Sequence, residues 1–250
     1  MLLAIDVGNT CVKIENSRGG HKIALTEDVK SRKDAAALIE PITKNELRII
    51  GCSVVPSVAK VFDQACKMMS GHDPVWINAF IPLGVNILYK SPETLGSDRI
   101  ANVIGALTLA KPPCIVVDVG TATKLEAIDQ DGNYLGGSIM PGIAMSLKNL
   151  NLGTAQLPLI TATWPLHPIG DDTESSMMTG TVLAHAHGIA GLIRDYETRI
   201  GPSTIIFTGG ARTILMISDR VGPFKGMNII DESRLTTIGL QAAARRLGIS

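Results

Sequence analysis

Two aspartates, Asp6 and Asp118, each close a short apolar run, and each is followed by glycine and hydroxyl residues. The first stretch reads LLAIDVGNTCVK over 2–13, the second CIVVDVGTATKL over 114–125. A strand ending in such a turn has a definite chemistry. Glycine lets the backbone approach a ligand, exposed N–H groups and hydroxyls hold phosphate oxygens, and a carboxylate holds a cation. One copy would serve equally well as a plain turn, since Gly and Asn suit turn geometry. Two copies point to one ligand clamped by two halves, a nucleotide triphosphate with its metal. A third run ends in Thr208-Gly209-Gly210-Ala211, which suits base and ribose, where close backbone approach matters more than charge. The chain has no GxxxxGK[ST] and no GxGxxG after its first strand, so it is neither a Walker-type nor a dinucleotide-binding chain.

The elements that must position these residues read as α/β. Strands are predicted over Leu2–Asp6, Cys11–Glu15, Leu47–Ser53, Val75–Ile77, Val85–Tyr89, Cys114–Val117, Leu125–Ile128, Tyr134–Ile139 and Ser203–Phe207, with a hairpin turn at Arg18–Gly20. Helices are predicted over Ser31–Ile39, Pro56–Ser70, Ser97–Leu109, Gly142–Leu150, Glu174–Tyr196 and Ser233–Leu247, with Ser97 as a cap. Lys111-Pro112-Pro113 is the clearest break. It divides the chain into 1–112 and 113–250.

Composition narrows the partners. Lys+Arg and Asp+Glu are both 23, so net charge is zero, which argues against a nucleic-acid or membrane-surface binder. Aromatics at 4% argue against base-stacking platforms. No apolar run reaches the roughly 18 residues of a membrane span. Met1 leads straight into a strand pattern without a basic segment or cleavage site. Cys11, Cys52, Cys66 and Cys114 lack CxxC spacing and read as free thiols, so a cytoplasmic location is expected. His185 and His187 sit two apart on a helix, face different ways and read as structural.

The ordered motifs resemble one family over nearly the whole chain. They are DVGNTCVK at 6–13, SVVP at 53–56, Tyr89, GSDRIAN at 96–102, DVGTAT at 118–123, YLGGSIMPG at 134–142, LP at 157–158, DTESSMMTG at 172–180, TGGA at 208–211 and LTTIGL at 235–240. In this order they resemble the type III pantothenate kinases, within the superfamily of acetate and sugar kinases, heat-shock ATPases and actin. The resemblance implies two similar ribonuclease H-like domains with a nucleotide cleft between them. It implies transfer of a phosphoryl group from ATP to the primary hydroxyl of pantothenate, the first step of coenzyme A synthesis, by a homodimer.

It also implies residue roles. Asp6, Val7, Gly8, Asn9, Thr10, Cys11, Val12 and Lys13 form the first phosphate loop. In it the N–H groups of Gly8 and Asn9 cradle β/γ oxygens, Thr10 adds a hydroxyl and Lys13 a point charge. Asp6 holds Mg²⁺ through water. Thr121, Gly209 and Gly210 contact ATP. Asp98 is the general base, within the substrate segment Gly96, Ser97, Asp98 and Arg99; Tyr89 and Thr173 complete the substrate pocket. Asp118 carries a monovalent cation, K⁺ or NH₄⁺.

One residue departs from the pattern. The family usually has an uncharged residue, often threonine, where this chain has Lys124. Alternation along the strand predicts that Lys124 points opposite Thr123 into solvent. The other reading is that its ammonium supplies the charge of the ion. Two other functions stay open on the residues: a kinase of another small hydroxyl metabolite, and a catalytically silent nucleotide-binding regulator.

Overall fold

The computed structural model describes residues 1–42, 47–216 and 222–249. In chain order the strands and longer helices are β1 (Leu2–Val7), β2 (Cys11–Asn16), β3 (His21–Leu25), α1 (Arg32–Ile39), β4 (Arg48–Ser53), α2 (Pro56–Ser70), β5 (Val75–Trp76) and α3 (Ser97–Leu109). They continue with β6 (Cys114–Val119), β7 (Ala122–Ile128), β8 (Tyr134–Pro141), α4 (Ile143–Leu152), α5 (Thr173–Met178), α6 (Ala184–Ile200), β9 (Thr204–Thr208), α7 (Arg212–Met216), β10 (Asn228–Asp231) and α8 (Leu235–Arg246).

The chain packs as two compact units, Met1–Ala110 with Arg234–Ser250, and Lys111–Ser233. The expected break at Lys111–Pro113 lies at the junction, but the last helix, expected with 113–250, packs in the first unit. Each unit is built on a five-stranded sheet, in the order β3-β2-β1-β4-β5 and β8-β7-β6-β9-β10. The two orders are the same topology. The strand carrying the aspartate is central, antiparallel to the next strand and parallel to the one after a crossover.

In the first unit the sheet is covered on both faces. Leu3, Ile5, Val7, Val12 and Ile14 pack with Ala35, Ala36 and Ile39 of α1 and Phe62, Ala65 and Cys66 of α2. The opposite face of β1 carries Leu2, Ala4 and Asp6 by alternation, and α8 packs against β1 and β4 while α3 packs on β4. A strand buried on both faces needs a near-continuous apolar run, which is why Leu2–Ile5 shows no polar alternation. Arg234, just before α8, pairs with Glu15 of β2, both Nε and Nη2 donating to the carboxylate. In the second unit Ile115, Val117, Val119, Leu125, Ile205 and Phe207 pack on Ile143 and Leu147 of α4 and Ala186, Ile189 and Ile193 of α6.

Three expectations differ, and two strands lie where none was expected. Val85–Tyr89 is not a strand; only Ile87 forms an isolated bridge. Its short run lies among Gly84, Lys90 and Pro92, with no partner strand to extend it. β3 and β10 are edge strands with largely exposed residues, so neither shows a buried pattern in sequence. The long helix expected over Glu174–Tyr196 is broken by a π-helical segment at Thr179–Leu183, which contains Gly180. Ser97 is not a cap: Gly96 holds the cap position of α3 without a side-chain bond.

Candidate functional site

The first loop is a tight turn between β1 and β2, in which Val7 pairs with Val12 and Asp6 with Lys13. The Gly8 N–H donates to the Cys11 carbonyl at 3.0 Å. It therefore closes the turn rather than facing a ligand, contrary to the expected phosphate contact. Asn9 and Thr10 lie exposed at the tip. Val7 and Val12 are buried, so only their backbone can face a ligand. Thr26 braces the loop. Its hydroxyl donates to the Gly8 carbonyl at 2.7 Å and its N–H to the Thr10 carbonyl at 2.9 Å. Nothing in the local spacing singles out Thr26, because the brace arrives 18 residues downstream.

Asp6 lies on the β1 face that α3 and α8 cover. Cys52, its cross-strand neighbour on β4, donates its thiol to Asp6 Oδ1 at 3.4 Å. An oxygen-only carboxylate at the strand end, beside exposed Asn9 and Thr10, is a donor set that suits a largely hydrated Mg²⁺. Asp98 reaches the same end of the sheet through a latch. The Ser97 hydroxyl accepts from Ser53 N–H at 2.9 Å and donates to the Ser53 carbonyl at 3.1 Å. Ser53 pairs with Val7, one residue beyond Asp6. Ser97, expected among the substrate contacts, is thus buried and committed to positioning the residue beside it. Asp98 in turn has its Oδ1 fixed by the Arg99 N–H at 2.9 Å. The Arg99 guanidinium stacks over the Tyr89 ring at 5.5 Å, bringing two expected substrate residues together.

The second unit repeats the construction. The Gly120 N–H donates to the Ala122 carbonyl at 3.3 Å, as Gly8 does to Cys11. The Val119 carbonyl accepts from Ala211 N–H at 2.9 Å, as Val7 does from Val54 at 3.0 Å. Thr121 is exposed at the tip, and its carbonyl accepts from Gly142 N–H at 3.1 Å. Gly209 has φ near +89°, and a Cβ there would lie 2.6 Å from Asp118 Oδ1 and 2.5 Å from the Val119 carbonyl. Its glycine is required by packing on Asp118 as well as by backbone geometry. Arg212 holds this turn, donating from Nη1 to the Gly209 carbonyl at 3.1 Å while Nε pairs with Asp231 at 2.5 Å. Gly210 is exposed beside it.

Lys124 corrects an expectation. It does point opposite Thr123, which is fully buried, but that face carries Asp118, its direct cross-strand partner. Lys124 Nζ lies 2.8 Å from Asp118 Oδ2, with the two side chains 16% and 15% exposed. The side chain is therefore ion-paired rather than solvated. Alternation gave the face correctly; the occupant of that face came from register, which only strand pairing reveals.

Thr173 starts α5, whose capping box is made by Asp172 and Ser175. It lines an open surface depression of about 630 Å³ with Gly170, Asp172, Ser176, Leu150 and Leu157. Behind the second loop, Thr123 Oγ1 and His185 Nε2 are 2.8 Å apart. Burial holds the His185 imidazole below its ordinary pKa. The folded chain thus binds the His185 proton less readily than the unfolded chain, which takes it up near pH 6.5. Stability from this group is complete above that value and falls as pH drops through it. Thermal melting from pH 8 to 5 should show an acid slope in wild type that His185→Gln flattens; equal slopes would refute the lowered imidazole pKa.

The cysteines are free, and Cys52, Cys66 and Cys114 are buried. Burial pushes the Cys66 thiol up to about 12 and Cys114 to about 11, so neither is a nucleophile at neutral pH. No helix among the described residues is long and apolar enough to cross a membrane.

Comparison with known proteins places this geometry. A family model described as type III pantothenate kinase matches residues 2–195. A protein of Desulfatibacillum aliphaticivorans named type III pantothenate kinase is 34% identical over 86% of this chain and 89% of its own length. One of Shouchella clausii with the same name is 36% identical over 84% and 88%. Among solved structures, a putative Baf family transcriptional activator from Campylobacter jejuni aligns with TM-score 0.63 and 20% identity over 98% of both chains. An archaeal actin homolog aligns with TM-score 0.54 and 11% identity over 98% and 99%. The paired sheets have the actin-like ATPase and sugar-kinase architecture. With its aspartate turns, Gly-x-Asp-Arg segment and Gly-Gly turn in family order over most of its length, the chain belongs to the type III pantothenate kinase family.

Proposed function

We propose that this protein phosphorylates the primary hydroxyl of pantothenate with ATP, giving 4'-phosphopantothenate. Family membership supports the reaction, and one observation carries its assignment to residues. The Ser97–Ser53 latch brings Asp98 to the end of the sheet where Asp6 and the Asn9–Thr10 tip lie. A carboxylate beside a phosphate loop is what an alcohol acceptor needs. The alcohol is a poor nucleophile until a base takes its proton as the P–O bond forms, and positioning in line does the rest.

In this reading Asn9, Thr10 and Lys13 hold the β/γ-phosphates. Asp6 would hold Mg²⁺, and the ion would supply neutralisation of phosphate charge. Asp98 accepts the hydroxyl proton, while Arg99, held by Tyr89, meets the substrate carboxylate or the transferring phosphoryl oxygens. Thr121, Gly209 and Gly210 serve the nucleotide, and Thr173 the pantothenate. The free thiols suit a reducing, cytoplasmic setting.

A coupled ADP-release assay with ATP and pantothenate, with the product identified by mass, tests the reading. Turnover with pantothenate but not with other small alcohols supports it. Turnover only with another alcohol, or ATP binding without any turnover, replaces it with one of the two alternatives.

The protein works as a homodimer in this reading. The second unit exposes Ile139, Leu152, Leu159, Leu166 and Ile169 at 62–94%, a load of apolar surface that a partner copy would cover. Light scattering should give twice the 26.5 kDa chain mass. A fully active monomer would overturn this.

A further inference from the structure

We infer that Lys124 is a built-in counter-ion for Asp118, so that this kinase needs no monovalent cation. The inference rests on the proposed function and on the role that the family resemblance implies for Asp118, a cation-binding carboxylate. The residues present do not fit an added ion there. Lys124 Nζ already stands 2.8 Å from Asp118 Oδ2, and both side chains are largely withdrawn from water. The other carboxylate oxygen, Oδ1, faces Gly209, where even a methyl group would come within 2.6 Å. A monovalent cation entering this space would meet a like charge at close range in a partly desolvated setting, which disfavours its binding.

The pairing is written into the strands. Asp118 and Lys124 are direct partners in the β6–β7 ladder, so the short reach between them needs no loop rearrangement. Side chains of directly opposite residues meet on one face, and opposite charges there attract. An ammonium is a compact point charge with several donors. Tethered on β7, it supplies the positive charge permanently and at no binding cost.

The test compares wild type with Lys124→Thr and Lys124→Gln. Kinase rates are taken in Tris buffer with tetramethylammonium, potassium or ammonium chloride at equal ionic strength. Wild type should turn over equally in all three. The variants should lose about tenfold or more in tetramethylammonium, as expected for leaving the Asp118 carboxylate without its counter-ion, and recover with potassium or ammonium. Thermal melting in the same salts reads the site without turnover. Potassium should raise the melting temperature of the variants and leave wild type unmoved, because only an ion that binds the folded state stabilises it. Wild type that requires potassium, or is stabilised by it as strongly as the variants, overturns the inference. The wild-type arm decides this even if a variant folds poorly. If melting behaves as stated but pantothenate is not a substrate, the counter-ion stands and the proposed function fails.

Discussion

Asp98→Asn should lower turnover by at least about 10²-fold while leaving the fold and ATP binding unchanged. The asparagine keeps the shape of the carboxylate, and its amide oxygen can still accept the Arg99 N–H now bonded to Asp98 Oδ1. The latch that places this residue uses Ser97 and Ser53, which the substitution leaves alone. What is lost is the capacity to take the hydroxyl proton. The Coulomb support of an acid in the first turn of α3 is also lost, but a half-buried helix-end charge contributes about 2 kcal/mol at most. Melting temperature and calorimetric ATP affinity should therefore stay near wild type while the steady-state rate collapses. A rate near wild type would show that Asp98 is a helix-end charge and that the base lies elsewhere. A large loss of ATP affinity would show that it holds the nucleotide.

The residues proposed to meet ligand were legible because their chemistry forces a local pattern. A tight turn at a strand end that a ligand can approach needs glycine and hydroxyls in a fixed order, and Gly8–Thr10 and Gly120–Thr121 display it. The central strands were legible for a similar reason: burial on both faces leaves an unbroken apolar run. The edge strands β3 and β10 were not, since half their surface is open and their residues carry no burial signature. The braces were hidden too. Thr26, Ser53, Cys52 and Arg212 are ordinary polar residues whose roles come from partners far along the chain or across a register. Lys124 shows the same limit. Period two gives its face, while Asp118 as its partner depends on which residues of β6 and β7 stand opposite.

Gly239→Ala should destabilise the protein by roughly 1–3 kcal/mol, the reverse of what helix propensity alone predicts. In an exposed helix interior, glycine to alanine gains up to about 1 kcal/mol. Gly239 lies in the middle of α8, where that helix crosses α3 backbone to backbone. A Cβ at 239 would lie 1.8 Å from the Ala101 carbonyl oxygen and 3.0 Å from the Gly105 nitrogen. A Cβ at 105 would lie 2.4 Å from the Leu235 carbonyl oxygen. The obstacle on each side is main chain, which cannot rotate away as a side chain can. The helices must separate, and the close packing that buries Ile100, Ala101, Val103 and Ile104 against their surroundings is loosened with them. Overpacking of this kind costs about 1–3 kcal/mol and occasionally more, and the propensity gain offsets only part of it. Because α3 carries Asp98 at its N-terminus, the shift should also cost turnover, which stability loss without displacement would not. The control is Gly188→Ala on α6, where nothing lies within 4 Å of the added methyl; it should be neutral or stabilising. Urea midpoints that fall for Gly239→Ala and hold or rise for Gly188→Ala would establish that the α3–α8 crossing, rather than glycine flexibility, is what position 239 serves. Equal midpoints for the two variants would show that the helices pass with room to spare.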